Sequence, residues 1–323
     1  MQRMKRQNET NQVKRVSALL AVVLLLWALT GCSVFPFAPG AAVGAAAPDT
    51  QTGKTQSESE PQAIRQTFQL DPDHGSAVRM EGTTLLVSIF ASDRDTSWNF
   101  ESEQDQKVIQ TTLNNLKVAS AYLSEQTQRY GKELSFLYDW REAEDLAYTA
   151  EFDDSMVRQD TEKANLQIVW LCNHIDLSAL ADKYQADNVL FLFFFNTDTS
   201  SVTDGANSEL RSWCMPHRHE NDCLLELCNI FVNSYLRTMS PADYAHEILH
   251  AFGAKDLYFA DEGITQDYVN SLHFSKDIMY STNRNSDRIT SELSDLDAYY
   301  VGIAPRPAVA DEWGLGLSEF DAD

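Results

Sequence analysis

The run from His246 to Asp256, H-E-I-L-H-A-F-G-A-K-D, holds the residues of this chain that are best suited to chemistry. Two histidines four residues apart on a helix are only about 40° apart around its axis, so His246 and His250 can bind one ion. Gly253 lets the chain leave the helix in a conformation that is costly for other residues, which can bring Asp256 to that ion. Glu247 is placed to accept a proton from a water at the ion. Three protein ligands and one open position are typical of a catalytic zinc site.

The residues before this run carry the signals of a helix start. Ser240 is predicted to be the N-cap, Pro241 the first helical residue and Asp243 the acid of a capping box. These signals predict a helix over about 241–252. The alternative is an ordinary amphipathic helix whose histidines are core or surface groups, but it leaves the extension to Asp256 without a role.

A methionine lies further along, in the run Asp277-Ile278-Met279-Tyr280. Together, H-E-x-x-H-x-x-G-x-x-D and this methionine resemble the metzincin clan of zinc metalloproteases, in which a methionine turn follows the metal-binding motif. The aspartate at the third-ligand position is similar to the snapalysin variant of the clan. The resemblance is specific over residues 240–280 and implies one catalytic zinc ion, with ligands His246, His250 and Asp256, general base Glu247, and Met279 as a hydrophobic floor beneath the ligands.

Two tyrosines are weak candidates for stabilising the transition state. Many metzincins carry a tyrosine two residues past the methionine, but Ser281 holds that position here and Tyr280 stands one residue earlier. Tyr258 is an equally weak candidate. If Asp256 is not the third ligand, the nearest substitutes are Asp261, Glu262 and His273.

The N-terminus predicts where the protein works. A basic segment precedes the apolar stretch from Val16 to Leu29, and Leu29-Thr30-Gly31-Cys32 resembles a bacterial lipobox. This resemblance implies a signal peptide over 1–31, a lipidated Cys32, and a protein outside the cytoplasm, anchored to the bacterial cell membrane. The alternative is an uncleaved membrane anchor.

The chain is strongly acidic, with 48 Asp and Glu against 25 Lys and Arg and a formal net charge of −23. Such a surface repels nucleic acid and anionic lipid head groups, so we expect neither as a partner. We expect the charge to serve solubility, and the protein to be a monomer.

The cysteines other than Cys32 permit several pairings. Cys172, Cys214, Cys223 and Cys228 allow two disulfides in three connectivities. A bond from Cys214 to Cys223 or Cys228 would close a loop before the active-site helix. The alternative is a zinc cluster of these cysteines with His217 and His219, whose spacing fits no common zinc-finger pattern.

Composition and hydrophobic pattern predict an α/β domain on a stalk. Residues 32–76 have the composition of a flexible stalk, 77–308 form the catalytic domain, and 309–323 form an acidic tail. In this domain the pattern predicts strands over 83–91, 134–138, 188–196 and 224–233. It predicts helices over 104–130, 177–184 and 291–301. Their order is similar to that of the metzincin upper subdomain, which is a mixed twisted sheet with a long backing helix and an active-site helix. The resemblance implies a small C-terminal subdomain from residue 257, with the methionine turn at about 277–280.

The first hypothesis for function is a membrane-anchored extracellular zinc endopeptidase that hydrolyses protein or peptide substrates, with Glu247 as general base. The second is a non-catalytic metzincin-like binding lipoprotein, an adhesin or scavenger. Glu247 favours the first hypothesis, because a protein that only binds has no use for the base. A narrower alternative is hydrolysis of a cell-wall or glycoprotein substrate.

Overall fold

A mixed six-stranded sheet organises this protein. Its strands are β1 (Gly82–Ser92), β2 (Leu134–Leu137), β3 (Ala147–Glu151), β4 (Asn188–Phe195), β5 (Trp213–Arg218) and β6 (Leu224–Phe231). The order is β2-β1-β4-β6-β5, and β3 also pairs with β1. The computed structural model describes residues 68–71, 75–156, 161–197, 212–218, 224–234, 237–258 and 264–315. All of them belong to one unit, Ile64–Asp323.

The sheet is parallel except at one edge. β2 lies opposite Gly82–Leu85 and β3 opposite Ser88–Ser92, so the two short strands share one side of β1. β5 runs antiparallel to β6 and closes the other side of the sheet. A short hairpin of β7 (Asn233–Ser234) and β8 (Arg237–Thr238) follows β6. The mixed α/β class expected from the sequence is confirmed.

The central strands form the hydrophobic core. All eight residues of β4, N-V-L-F-L-F-F-F, are buried, and so are those from Thr84 to Ala91 in β1. A strand that is covered on both faces has a continuous apolar run, because water meets neither face. The sequence predicted both strands for this reason.

Helices cover the sheet and place the candidate site. They are α1 (Glu103–Gln128), α2 (Thr161–His174), α3 (Leu177–Tyr184), α4 (Pro241–Ala251), α5 (Ile264–Phe274), α6 (Asp295–Tyr300) and α7 (Ala308–Glu312). The long helix α1 packs on α4, where Asn115 donates to the carbonyl of Met239 and Tyr244 donates to Thr112. None of the described helices is long and apolar enough to cross a membrane.

Several elements differ from the prediction, and α5 and the β7–β8 hairpin are among those that were not predicted. β3 and α2 were not predicted, because β3 buries only Ala150 and α2 spreads its buried residues over a weak apolar stripe. The helix predicted over 291–301 is shorter: it begins after Ser294, whose hydroxyl oxygen accepts from Asp297 N. The preceding residues leave the helix because Glu292 pairs with the chain at Asp277 in an isolated bridge.

The packed domain is longer than the predicted range 77–308. Phe68 N donates to Asp182 at 2.9 Å, so the end of the predicted stalk contacts α3. Beyond residue 308, Ala310 and Leu315 are buried in the core, so the first part of the predicted acidic tail is the helix α7. The predicted signal peptide, Cys32 and most of the predicted stalk lie outside the described residues.

Candidate metal centre

His246 and His250 lie one turn apart on α4, and a backbone carbonyl orients each ring. His246 Nδ1 is 3.0 Å from the carbonyl oxygen of Ile278, and His250 Nδ1 is 2.8 Å from that of Ala254. A carbonyl oxygen only accepts hydrogen bonds, so each Nδ1 carries the hydrogen and each neutral ring keeps a lone pair on Nε2. The two Nε2 atoms are 3.1 Å apart. Both lone pairs therefore point into the same small volume.

A glycine turn brings Asp256 to these histidines. Gly253 has a φ of 96°, which favours glycine over other residues. Gly253 N donates to the carbonyl of His250, and Ala254 N donates to that of Leu249. These two bonds are the Schellman pattern that ends many helices. The chain then reverses towards α4, as the sequence predicted.

Three acceptor atoms meet at this point. Asp256 Oδ1 is 3.2 Å from His246 Nε2 and 3.2 Å from His250 Nε2, and it has no hydrogen-bond partner within the described residues. Tetrahedral ligands about 2.0 to 2.2 Å from a zinc ion are about 3.3 to 3.6 Å apart, and the observed distances lie just below this range. The donor set therefore fits a small divalent ion. In the part of the chain that the structure describes, this is the one cluster with the composition and spacing of a metal site.

The pKa values of Asp256 and His246 are shifted by their contact with each other and by burial. Burial raises the pKa of Asp256, but the two histidines, which can donate from Nε2 only when their rings are protonated, outweigh this and hold the pKa well below its usual value. Burial lowers the pKa of His246, and the hydrogen bond and charge of Asp256 then raise it above its usual value. Asp256 is therefore ionised, and its negative charge would complement a cation at the three atoms.

Glu247 lies on the same helix as the histidines and is 5% exposed. Its Oε2 atom is buried and has no hydrogen-bond partner within the described ranges. Burial raises the pKa of Glu247 to about 8, and the charges of Asp256 and Asp243 add to this while His250 opposes it. A carboxylate with an unused oxygen and a high proton affinity suits a general base.

The turn 277–280 holds two of the three candidate ligands. Its Ile278 carbonyl orients His246, and its Met279 carbonyl accepts from Leu257 N at 3.0 Å, directly after Asp256. Backbone groups make these contacts, and every residue has them, so no side-chain pattern in the sequence could have revealed them.

The start of α4 is fixed to the same turn region. Ser240 and Asp243 form the predicted capping box, with Ser240 N donating to Asp243 Oδ2 at 2.6 Å. The other oxygen of Asp243 accepts from Thr282 Oγ1 at 2.6 Å. One buried carboxylate therefore caps the helix and connects it to the chain beyond Met279.

The structure places the remaining predicted residues at different distances from the cluster. Met279 is fully buried in the core. The ring of Tyr258 stacks on His246, with 6.2 Å between centroids, while Tyr280 packs against the hydrophobic core. Of the two tyrosines, Tyr258 therefore has the contact with a candidate ligand.

The substitute ligands are not part of the cluster. His273 packs its ring on Trp313 instead, 5.0 Å between centroids. Asp261 and Glu262 lie outside the described residues.

A disulfide joins Cys214 on β5 to Cys228 on β6. This is one of the two bonds expected to close the loop before α4, and it takes up the two thiols that the alternative zinc cluster needs. His217 is hydrogen-bonded to Asn165 at 3.0 Å instead. Cys172 is an exposed free cysteine, and Cys223 and His219 lie outside the described residues. Cys228 Sγ is 3.6 Å from the carbonyl oxygen of Glu247, so the disulfide lies directly behind the candidate base.

A cavity of about 260 Å³ adjoins the cluster. His250 and Gly253 line one side of it, Pro216 of β5 and Val78 line others, and Glu226 lies at its wall. The Glu226 carboxylate is buried and accepts from Ser76 N at 2.8 Å. The cavity thus extends from His250 towards the antiparallel edge of the sheet.

Comparison of the chain with known protein families and with curated proteins finds no match.

Proposed function

We propose that this protein is a zinc-dependent endopeptidase of the metzincin type, anchored by Cys32 to the outside of a bacterial cell membrane. The observation that carries the proposal is the triangle of His246 Nε2, His250 Nε2 and Asp256 Oδ1, with sides of 3.1, 3.2 and 3.2 Å. The two histidine tautomers set by Ile278 and Ala254 leave no hydrogen inside this triangle.

A divalent ion suits the triangle better than a proton does. A proton on one nitrogen forms a strong hydrogen bond to one acceptor, and the third lone pair then stays unsatisfied in a buried site. A divalent ion held by His246, His250 and Asp256 would accept a lone pair from all three atoms. Two nitrogens and one oxygen around an open fourth position favour zinc, as in catalytic sites with three protein ligands.

Glu247 supports a hydrolytic role for the ion. When bound, zinc supplies a Lewis acid that polarises a carbonyl group and lowers the pKa of water to about 7. Glu247 removes a proton from the attacking water, and the same carboxylic acid then gives that proton to the leaving amide nitrogen. The base thus returns to its ionised form as the peptide bond breaks.

The edge strand β5 favours an extended peptide as substrate. β5 pairs with β6 on one side, and within the described residues no strand pairs with its other side. Its Pro216 lines the same cavity as His250, so a strand added along β5 would pass close to this candidate ligand. Strand addition uses main-chain hydrogen bonds, which suits many sequences, and the side pocket then selects among them.

Metal analysis and a substituted base test the proposal together. The purified full-length protein should contain about one zinc per chain and cleave an unbiased peptide library, and a chelator should stop cleavage. Glu247→Gln should keep the zinc and lower the cleavage rate by about 10² to 10⁴. The control is Glu312→Gln, the same change in α7.

Two outcomes would contradict the proposal. A protein that neither contains nor takes up zinc would remove the metal site. A protein that holds zinc but cleaves no peptide, with Glu247→Gln identical to the parent in every assay, would favour the binding lipoprotein instead.

A further inference from the structure

Two carboxyl groups are buried side by side behind the turn 277–280. Asp277 is 2% exposed and begins the turn, and Asp297 is 0% exposed and lies on α6. Asp277 Oδ1 accepts from Met279 N at 2.7 Å, which closes the turn. Ser294 is close to both: its hydroxyl oxygen accepts from Asp297 N at 3.2 Å, and it lines the same cavity as Asp277. After burial, the neighbouring carboxyl is the largest influence on the pKa of each aspartate.

The remaining oxygens of this pair lack ordinary donors. Asp277 Oδ2 and both carboxyl oxygens of Asp297 are buried and make no hydrogen bond of normal geometry to a described residue. Two ionised carboxylates in contact and without a cation repel each other strongly at low dielectric. One proton between them turns the repulsion into a hydrogen bond, with one carboxyl donating and the other accepting.

We propose that Asp277 and Asp297 are positioning residues that share one proton, and that the resulting hydrogen bond fixes the turn which orients His246 and the segment after Asp256. The inference rests on the proposed metal site for its effect on function. The proposed bond joins Asp297 to Asp277, and three observed hydrogen bonds continue from there. Asp277 Oδ1 accepts from Met279 N, the Ile278 carbonyl contacts the ring of His246, and the Met279 carbonyl accepts from Leu257 N. Neither aspartate contacts substrate in this role.

The surroundings favour retention of the proton. Burial raises the pKa of Asp297 well above its usual value, and Asp277 raises it further. Burial also raises the pKa of Asp277, while the neighbouring Asp297 and Ser294 and the Met279 N–H lower it by less. The titratable groups that interact electrostatically with the pair are Tyr122 and Tyr130 of α1 and Tyr300 of α6, and Glu292 pairs with Asp277 through a backbone bridge. His273 and Lys276 line the neighbouring cavity with Asp277.

Stability against pH tests the shared proton. In the unfolded chain both aspartates ionise near pH 4, whereas the folded pair keeps a proton to higher pH. The folded state therefore binds more protons above pH 4, and the stability from the pair falls as pH rises towards the raised pKa. Asp297→Asn donates to Asp277 without titrating, so it should lack this fall. Relative to this variant, the unfolding constant of the parent should rise with pH, by at most about tenfold per pH unit.

Zinc affinity tests the positioning. Asp297→Ala should weaken zinc binding by at least about tenfold. This is the smaller of the losses in metal affinity that are typical when a group supporting a metal ligand is removed. Asp297→Asn should restore binding to within about threefold of the parent, and the visible spectrum of the cobalt-loaded protein should shift for Ala only. Asp295→Asn is the matched control, because it makes the same change on the exposed side of α6. If Asp297→Ala does not fold, Asp277→Asn replaces it and should keep zinc while losing the pH dependence.

Three results would overturn the inference. One is an equal pH dependence of stability in the parent and Asp297→Asn. The second is parental zinc affinity in a folded Asp297→Ala. The third is a calcium-dependent rise in the melting temperature of the parent but not of Asp297→Asn, which would mean that the pair holds a cation. Should the parent bind no zinc, the metal proposal fails, yet the pH comparison still decides whether the proton is shared.

Discussion

His246 and His250 owe their common direction to two backbone carbonyls, and this decides which of their nitrogens is available. Ile278 O and Ala254 O each take the hydrogen of an Nδ1, so each Nε2 is left with a lone pair. A ligand whose tautomer is already fixed loses less freedom when an ion binds. The chemistry of this centre therefore depends on residues that carry no functional side chain.

The role of Asp256 can be separated from that of an ordinary buried acid. Asp256→Ala should lower zinc affinity by more than about 100-fold, since it removes a ligand rather than a partner behind one. Asp256→His should keep the metal, because imidazole offers a neutral donor at the same place. Competition with a chromophoric chelator measures both, with Asp287→Ala as the exposed control. Parental affinity in Asp256→Ala would place the third ligand elsewhere.

Single residues show which features of the candidate site could be predicted from the sequence and which could not. The spacing of His246, His250 and Asp256 predicted their meeting, because helix geometry and one glycine are local rules. The partners of the histidine rings could not be predicted, since they are main-chain atoms whose positions depend on the packing of α4 against a distant turn. Asp297 was missed for a related reason: an acid at helical spacing is usually solvated.

The helix α4 is fixed at both ends before any metal is considered. Ser240 and Asp243 cap its start, and Gly253 and Ala254 satisfy its last carbonyls. The first end is joined to Thr282, and the second presents the Ala254 carbonyl to His250. Each terminus thus contributes to helix stability and also orients the site.

Replacing Gly253 tests whether this end of α4 both stabilises the helix and positions Asp256. Gly253→Ala places a side chain at a φ of 96°, which costs about 1 to 2 kcal/mol of stability and shifts the chain that leads to Asp256. Gly131→Ala is the matched control, because Gly131 has a φ of 72° after α1 and open space around it. Urea unfolding should show similar losses for both variants, while zinc titration should show weaker binding only for Gly253→Ala. Equal zinc affinities would mean that the turn tolerates alanine without moving Asp256.

The whole molecule combines a parallel core with an antiparallel edge. β1 and β4 are the buried centre, and their apolar runs made them predictable from sequence. The edge features β3 and β5 are short and partly exposed, so their pairing depends on neighbours rather than on their own pattern. The net charge of −23 is a property of the whole chain and favours repulsion between copies.

Anchoring is also tested on the whole chain. If Cys32 is lipidated as proposed, Cys32→Ala should move the protein from the membrane fraction to the soluble fraction, because the acyl chains on this one residue would supply the membrane affinity. Cys172→Ala is the matched control, since Cys172 is an exposed free thiol on α2. Fractionation and intact-mass measurement check both. Unchanged partitioning with residues 1–31 retained would support an uncleaved anchor.

The turn 277–280 also governs when the centre can form during synthesis. The chain grows from its N-terminus, so His246 is made before Ile278, which follows it by 32 residues and supplies its carbonyl partner. Until then all three candidate ligands exist, yet neither His246 nor the segment after Asp256 has its support. A nascent chain that ends at Lys276 should therefore hold zinc weakly and cleave nothing, which would keep the proposed protease inactive until the turn has been synthesised.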